Sequence, residues 1–96
     1  MPNEYELMPQ HDARKSFYGK ARVRVDDDGN KFLISYTTPV MWWNAKDGTL
    51  HRLNTYYGWS STTGRHVKEF SLQCGCKAVT KKEWDKMTPE PAPHAL

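Results

Sequence analysis

Cys74-Gly75-Cys76, His66, the acidic run Asp26-Asp27-Asp28 and the hydroxyl run Ser60-Ser61-Thr62-Thr63 are the parts of this 96-residue chain whose residue types could do chemistry. Two thiolates make half of a tetrahedral zinc site. The other half would have to come from His11, His51, His66 or His94, and none of these stands at a finger-like spacing. A helix-end cysteine with a chance neighbour is the simpler reading. His66, beside Arg65, has the chemistry of a general base, yet spacing pairs it with no nucleophile and no orienting carboxylate. A capping or packing histidine is expected. The three aspartates with Asn30 share the composition of a calcium loop, but the later glutamate and the loop length are missing. The hydroxyl run carries neither G-x-S-x-G nor a P-loop lysine. No catalytic residue, metal ligand or cofactor is assigned, and the chain reads as a non-enzyme.

The cationic and aromatic residues point to binding. Lys20, Arg22 and Arg24 alternate along one predicted strand and form a basic stripe on its wet side. If Trp43, Arg52 and Tyr56 share that sheet face, cations and flat rings are mixed there. Such a surface suits single-stranded nucleic acid, where rings stack on bases and cations meet phosphates. It suits a protein interface equally well. Trp42 and Trp43 add a second consideration. Neighbouring strand residues face opposite ways, so both indoles cannot enter one core, and one of them is expected to be covered by another segment or offered to a partner. The candidate partner-binding set is therefore Lys20, Arg22, Arg24, Trp42, Trp43, Arg52 and Tyr56.

These residues need elements to hold them. Residues 1–15 are polar with scattered Pro, Gln and His, and read as a flexible amino-terminal arm. Ala21, Val23 and Val25 alternate with basic residues as a first strand. Asp26 to Asn30 makes a turn. Lys31 to Trp43 reads as one long second strand, with Pro39 placing it at an edge or a bend. Asn44 to Gly48 turns again, and Thr49 to Tyr57 is the third strand. Ser60 to Thr63 caps a helix whose buried stripe is Thr63, Val67, Phe70 and Cys74, with Arg65, Lys68 and Glu69 pointing elsewhere. Thr80-Lys81-Lys82-Glu83 is a capping box for a short second helix carrying Trp84 and Met87. The fold expected is α+β: a three-stranded antiparallel meander with one packing helix and a short carboxyl-terminal helix. The domain spans residues 16–87, followed by a Pro-rich tail over 88–96.

Composition bounds the setting. The formal charge is +3, and residues 49–96 hold seven basic and four acidic side chains against seven and seven in residues 1–48. That is too mild for a dedicated DNA coat. No apolar run approaches the ~20 residues of a membrane helix, the opening residues lack a secretion signal, and two cysteines make no disulfide framework. A bacterial cytoplasm, with no membrane partner, is the expected location.

Ser16-Phe17-Tyr18-Gly19-Lys20-Ala21, Leu33-Ile34-Ser35-Tyr36-Thr37-Thr38-Pro39-Val40 and Trp59-Ser60-Ser61-Thr62-Thr63-Gly64-Arg65-His66-Val67-Lys68-Glu69-Phe70 form an ordered set. This set resembles a family of small proteins of bacteriophages and mobile elements, with the pattern SFYGKA, SYxTxV and WSxTTxRHxxEF over about residues 16–79. The resemblance implies a phage or mobile-element protein and brings no catalytic residues. It leads to the expectation of a non-enzymatic protein that binds a host or phage macromolecule, for example a defence nuclease inhibited in the manner of small anti-CRISPR proteins. The alternative is a nucleic-acid-binding accessory protein that uses the Lys20, Arg22 and Arg24 stripe with Lys81, Lys82 and Lys86. An open sheet edge also allows strand-to-strand homodimerisation.

Overall fold

The computed structural model describes residues 3–96. Five strands form one antiparallel sheet in chain order: β1 (Asn3–Glu6), β2 (Ala21–Val25), β3 (Lys31–Ser35), β4 (Thr38–Asn44) and β5 (Thr49–Arg52). Two helices follow, α1 (Ser61–Gln73) and α2 (Lys81–Lys86). The expectation of a three-stranded meander is thus corrected to five strands, within the same α+β class.

Two features supply the extra strands. The first comes from the arm: Tyr5 pairs with Val23 and Glu6 with Arg22, so residues 3–6 extend the sheet beyond β2. The first two residues of that arm lie outside the described residues. The second is a hidden turn. The run from Lys31 to Trp43 is two strands, because the chain reverses at Tyr36-Thr37 between the paired residues Ser35 and Thr38. Tyr36 takes φ 59°, the left-handed region. A two-residue hairpin loop with positive φ at its first position normally carries glycine there, which is why Tyr-Thr gives no turn signal. Pro39 needs no ladder donor, since the β3–β4 register slips beside it and leaves Val40 as the extra residue of a bulge.

Side-chain alternation sorts the sheet into two faces. Ala21, Val23, Leu33 and Met41 point to one face and meet Val67, Phe70 and Trp84 from the helices, with Leu7, Phe17 and Val79 closing the core. Arg22, Arg24, Phe32, Ile34 and Trp42 point to the other. The Pro-rich tail crosses that outer face. Glu90 lies beside Leu53 in a parallel bridge, its amide donating to Arg52 O at 2.9 Å and its carbonyl accepting from Asn54 N at 2.8 Å. Further along, His94 sits edge-on to Phe32 and within 2.8 Å of Asp26 Oδ2.

The α1 start follows the hydroxyl run. Ser60 is the N-cap, its side chain accepting from Thr63 N at 3.0 Å. Thr63, Val67 and Phe70 are buried as their spacing requires, but Glu69 is buried too, contrary to the outward position expected for it. Its carboxylate accepts from His11 N and His11 Nδ1 at 2.8 Å each, from Gln73 Nε2 at 2.7 Å, and from the Gln10 amide. With Gln73 Nε2 also donating to Met8 O, residues 8–12 are fastened along α1. For α2, Thr80 caps the helix and Trp84 is its buried residue.

Gly64, in the first turn of α1, makes room for an indole. A Cβ at that position would stand 2.7 Å from Trp59 Cζ2 and 2.8 Å from Trp59 Cε2. Replacing a helix-interior glycine by alanine ordinarily adds about 0.5–1 kcal/mol of stability. Here Gly64→Ala is expected to do the reverse, lowering stability by about 1–3 kcal/mol through overpacking. Urea denaturation followed by tryptophan fluorescence checks the sign.

Candidate functional site

Three segments far apart in sequence meet at one end of the sheet: the turn before β2, the β3–β4 turn, and the first turns of α1. Between them lies a cleft of about 230 Å³ lined by Arg14, Tyr18, Lys20, Tyr36, Arg65 and His66, among others. The same three segments are those that the sequence pattern singled out.

The two lips are tyrosines on unusual backbone. In the turn Phe17–Lys20, Lys20 N donates to Phe17 O at 2.9 Å, and both central residues have positive φ, Tyr18 at 55° and Gly19 at 74°. That is the dihedral pattern of a type I′ turn, which favours Asn-Gly. Across the cleft, Tyr36 N donates to Lys20 O at 2.6 Å, tying the second turn to the first. Bulky residues pay for left-handed backbone with about 1–3 kcal/mol of strain each, and such strain gathers at ligand sites. Neither ring offsets it by burial: Tyr18 is 79 % exposed and Tyr36 50 %.

Cations surround these rings. Lys20 Nζ stands 5.7 Å from the centre of the Tyr36 ring. Arg65 Nη1 lies 2.6 Å from Asp12 Oδ1. The Arg14 amide, together with the Arg65 guanidinium, holds the Asp12 carboxyl below its usual range despite partial desolvation, so Asp12 stays charged and offsets part of Arg65. Arg14 and Lys20 add two further cations, and the Glu6 carboxylate, which accepts from Gly19 N at 3.1 Å, offsets one of them.

The floor is polar and buried. Ser35 Oγ, at the end of β3, lies 2.8 Å from His66 Nδ1 and 3.0 Å from Thr63 Oγ1. All three residues are buried, and Phe17 packs edge-on to the imidazole with ring centres 4.7 Å apart. Burial pushes the His66 pKa from 6.5 down to about 4. A hydroxyl at this distance from an imidazole has the geometry of a nucleophile and its base. Among the described residues, however, no carboxylate orients the opposite ring nitrogen, and Nε2 has no hydrogen-bond partner. With Ser35 itself sealed from solvent, the contact ties sheet to helix.

The residues expected to bind a partner divide among several places. Lys20 lines the cleft. Arg22 and Arg24 lie on the outer face, where Arg22 is paired with Glu4, Nη2 to Oε2 at 2.7 Å. Trp43, Arg52 and Tyr56 are on the helix face, so the mixed surface with Arg22 and Arg24 does not form. Arg52 is buried, stacks over Trp84 at 4.7 Å, and donates to the carbonyls of Trp84, Met87 and Tyr57. It closes the carboxyl end of α2. Tyr56 packs beside Trp84 and accepts a hydrogen bond from Ser60 N. The two indoles do face opposite ways. Trp43 packs against the core under Lys31, while Trp42 is stacked on the outer face between Phe32 and His51, with ring centres at 5.5 and 4.8 Å. Both are partly buried, so neither is the freely offered ring that the pattern suggested.

Elsewhere, Lys81 pairs with Asp85 along α2, and Lys86 borders a larger hollow of about 590 Å³ beside Leu50, Val79 and Met87. Among the described residues, its lining holds no non-glycine residue with positive φ and no unpartnered buried side-chain atom. Burial pushes the Cys74 thiol up to about 12, which disfavours the thiolate that a metal would need. No group of three or more His, Cys, Asp or Glu side chains that could hold a metal ion is present among the described residues. No helix of the described residues is long and apolar enough to cross a membrane.

A family match covers residues 5–86, from within β1 to the end of α2. The chain belongs to a family of unknown function (DUF8033). No curated protein and no solved structure matches it. The matched residues include all those that line the cleft.

The titration of two buried groups is testable. His66 is neutral when folded, so the unfolded chain binds the extra proton between pH 6.5 and about 4. Its contribution to stability is complete above pH 6.5 and is lost as pH falls toward 4. For Glu69, desolvation raises the pKa, but hydrogen bonds from Gln73 and His11 outweigh it and the net shift is downward from 4.5. Its contribution is present above pH 4.5 and is lost below that. Urea midpoints are expected to fall from pH 7 to pH 5 in the wild type and to fall less in His66→Gln, with a further drop below pH 4.5 that Glu69→Gln removes.

Proposed function

We propose that this protein is a non-enzymatic binding module that holds single-stranded nucleic acid in the Tyr18–Tyr36 cleft. The observation that supports the reading is the pair of solvent-facing tyrosines, each kept on left-handed backbone beside Arg14, Lys20 and Arg65. Stacking of bases on such rings is worth about 1–3 kcal/mol per base and tolerates any sequence. The cations supply the phosphate contacts that fix the strand. The reading keeps Lys20 from the basic stripe and replaces the tryptophans with tyrosines. A phage or mobile-element origin and a cytoplasmic location, suggested by the resemblance and the composition, belong to the same proposal.

A second reading places a protein on this surface, the class of partner that an inhibitor of a host defence nuclease would engage. Tyrosine and arginine are the residue types that dominate protein interfaces, and Tyr18, Tyr36 and Arg65 supply them here. Salt separates the two readings. If three cations meet phosphates, the slope of about −0.7 per contact for single strands lowers affinity by roughly twentyfold between about 50 and 200 mM salt.

Fluorescence anisotropy with a short labelled single strand measures this directly. The expected result is binding at low salt that weakens steeply as salt rises. No binding at low salt would remove the nucleic-acid reading.

A paired mutation sharpens the test. Tyr18→Asn gives the turn its favoured Asn-Gly pair, so stability is expected to rise by about 1 kcal/mol from relief of backbone strain. Strand binding is expected to weaken by about 1–3 kcal/mol through loss of stacking.

A further inference from the structure

The sheet has two edges, β1 and β5, and the chain guards them differently. Along β1, Glu4 and Glu6 flank Tyr5, charges of the kind that keep an edge strand from pairing with another chain. Along β5, the residues Thr49, Leu50 and His51 include no carboxylate and no lysine.

Opposite residues of an antiparallel ladder alternate between hydrogen-bonded and non-bonded pairs. Leu53 N donates to Val40 O at 3.0 Å, so that pair is bonded. The Met41–Arg52 and Trp43–Leu50 pairs are then the non-bonded kind, and Arg52 and Leu50 turn their amides and carbonyls away from β4. Arg52 uses its carbonyl there, accepting from Glu90 N at 2.9 Å. The tail thus adds a single residue of strand to this edge and goes no further along it. Leu50 is the next outward-facing position. Among the described residues, nothing outside the sheet bonds to its main chain. Beyond it, Gly48 O accepts from the Cys76 thiol at 3.7 Å.

Leu50 also borders the hollow of about 590 Å³, which falls within the ~300–1,000 Å³ of ligand sites. Leu50, Ala78, Val79 and Met87 make its wall apolar, and Lys77 and Lys86 share the lining with Glu83, so charges of both signs meet there. An open main-chain pair beside an apolar pocket is what strand addition requires. Main-chain bonds hold the added segment, and the pocket takes one of its side chains. Glu90 is the example of such pairing that the chain itself provides on the same edge.

We propose that the free edge of β5 docks an extended apolar segment of another protein, which bonds the Leu50 amide and carbonyl and places one side chain in the hollow. The open stretch from Thr49 to His51 is about 10 Å long at ~3.4 Å per residue, enough for a tripeptide. The proposal stands apart from the nucleic-acid reading, because it uses the opposite edge of the fold from Tyr18 and no residue of the cleft.

The probe is an acetylated, amidated valine–leucine–valine tripeptide, titrated into the full chain and followed by ¹H–¹⁵N NMR. The Leu50 amide is expected to shift downfield and to exchange more slowly with water, with Val79 moving alongside and Tyr18 and Tyr36 staying in place. The same tripeptide with N-methylated backbone amides is expected to bind about two- to tenfold more weakly, as the loss of one neutral hydrogen bond requires. Leu50 unmoved at millimolar peptide overturns the proposal. Equal binding of the N-methylated peptide also overturns it, since apolar adhesion would then act without strand pairing. A Leu50 shift on concentrating the protein alone would give the edge to a second copy and overturn it as well. None of these outcomes bears on strand binding, which Tyr18 and Tyr36 report separately in the same spectra.

Discussion

The hydrogen bonds that join Ser35 with Thr63 and His66 hold the sheet to the helix, and the rest of the cleft takes its position from them. Ser35 is the last residue of β3, so pinning it fixes where the chain must turn. With the next paired residue at Thr38, only Tyr36 and Thr37 remain to reverse direction, and Tyr36 is forced into the left-handed region. The amide of Tyr36 then reaches Lys20 O and draws the Phe17–Lys20 turn alongside. Tyr18 and Tyr36 thus owe their placement to a buried serine. The imidazole on the other end of this tie stays uncharged because the seal that makes the tie strong also removes water.

Much of this architecture was legible before any coordinates. The turns at 26–30 and 44–48 carry Gly, Asn and Asp, whose side chains and backbone freedom announce them. The hydroxyl cap of α1 and the capping box of α2 likewise sit where orphaned amides need acceptors. What escaped the sequence has a physical cause in each case. Tyr36 occupies a position where glycine is the usual marker, so a run of β-forming residues hid a reversal. Residues 3–6 are polar on both sides because they form an exposed margin, and alternation cannot reveal a strand that buries neither face. Glu69 reads as a solvated charge unless one knows that His11, distant in sequence, supplies two of its hydrogen bonds.

The adjacent indoles illustrate how a sound local rule can mislead about a surface. Period-two alternation did send Trp42 and Trp43 to opposite faces. Yet the outward ring stacks on Phe32 and His51, and Glu90 of the tail holds His51 through Nδ1 at 3.0 Å. A segment with three prolines, which can join no ladder interior, still covers apolar surface by lying across the strands. The Tyr18–Tyr36 end of the sheet keeps its two rings exposed, and of the seven residues proposed from the sequence only Lys20 lies there.

Both ends of the chain are fastened to opposite sides of the same sheet. His11 reaches Glu69 across 58 residues on the helical side, and His94 reaches Asp26 across 68 residues on the other. Contacts of such separation form only after the chain between them has closed, because loop entropy must be overcome first. The two ends are thus the last parts to settle and the first to fray, each through its own local opening. Amide protons near residues 8–12 and 90–94 would then exchange with water well before those of β2 and β3, leaving the central hairpin as the slow-exchanging nucleus of the domain.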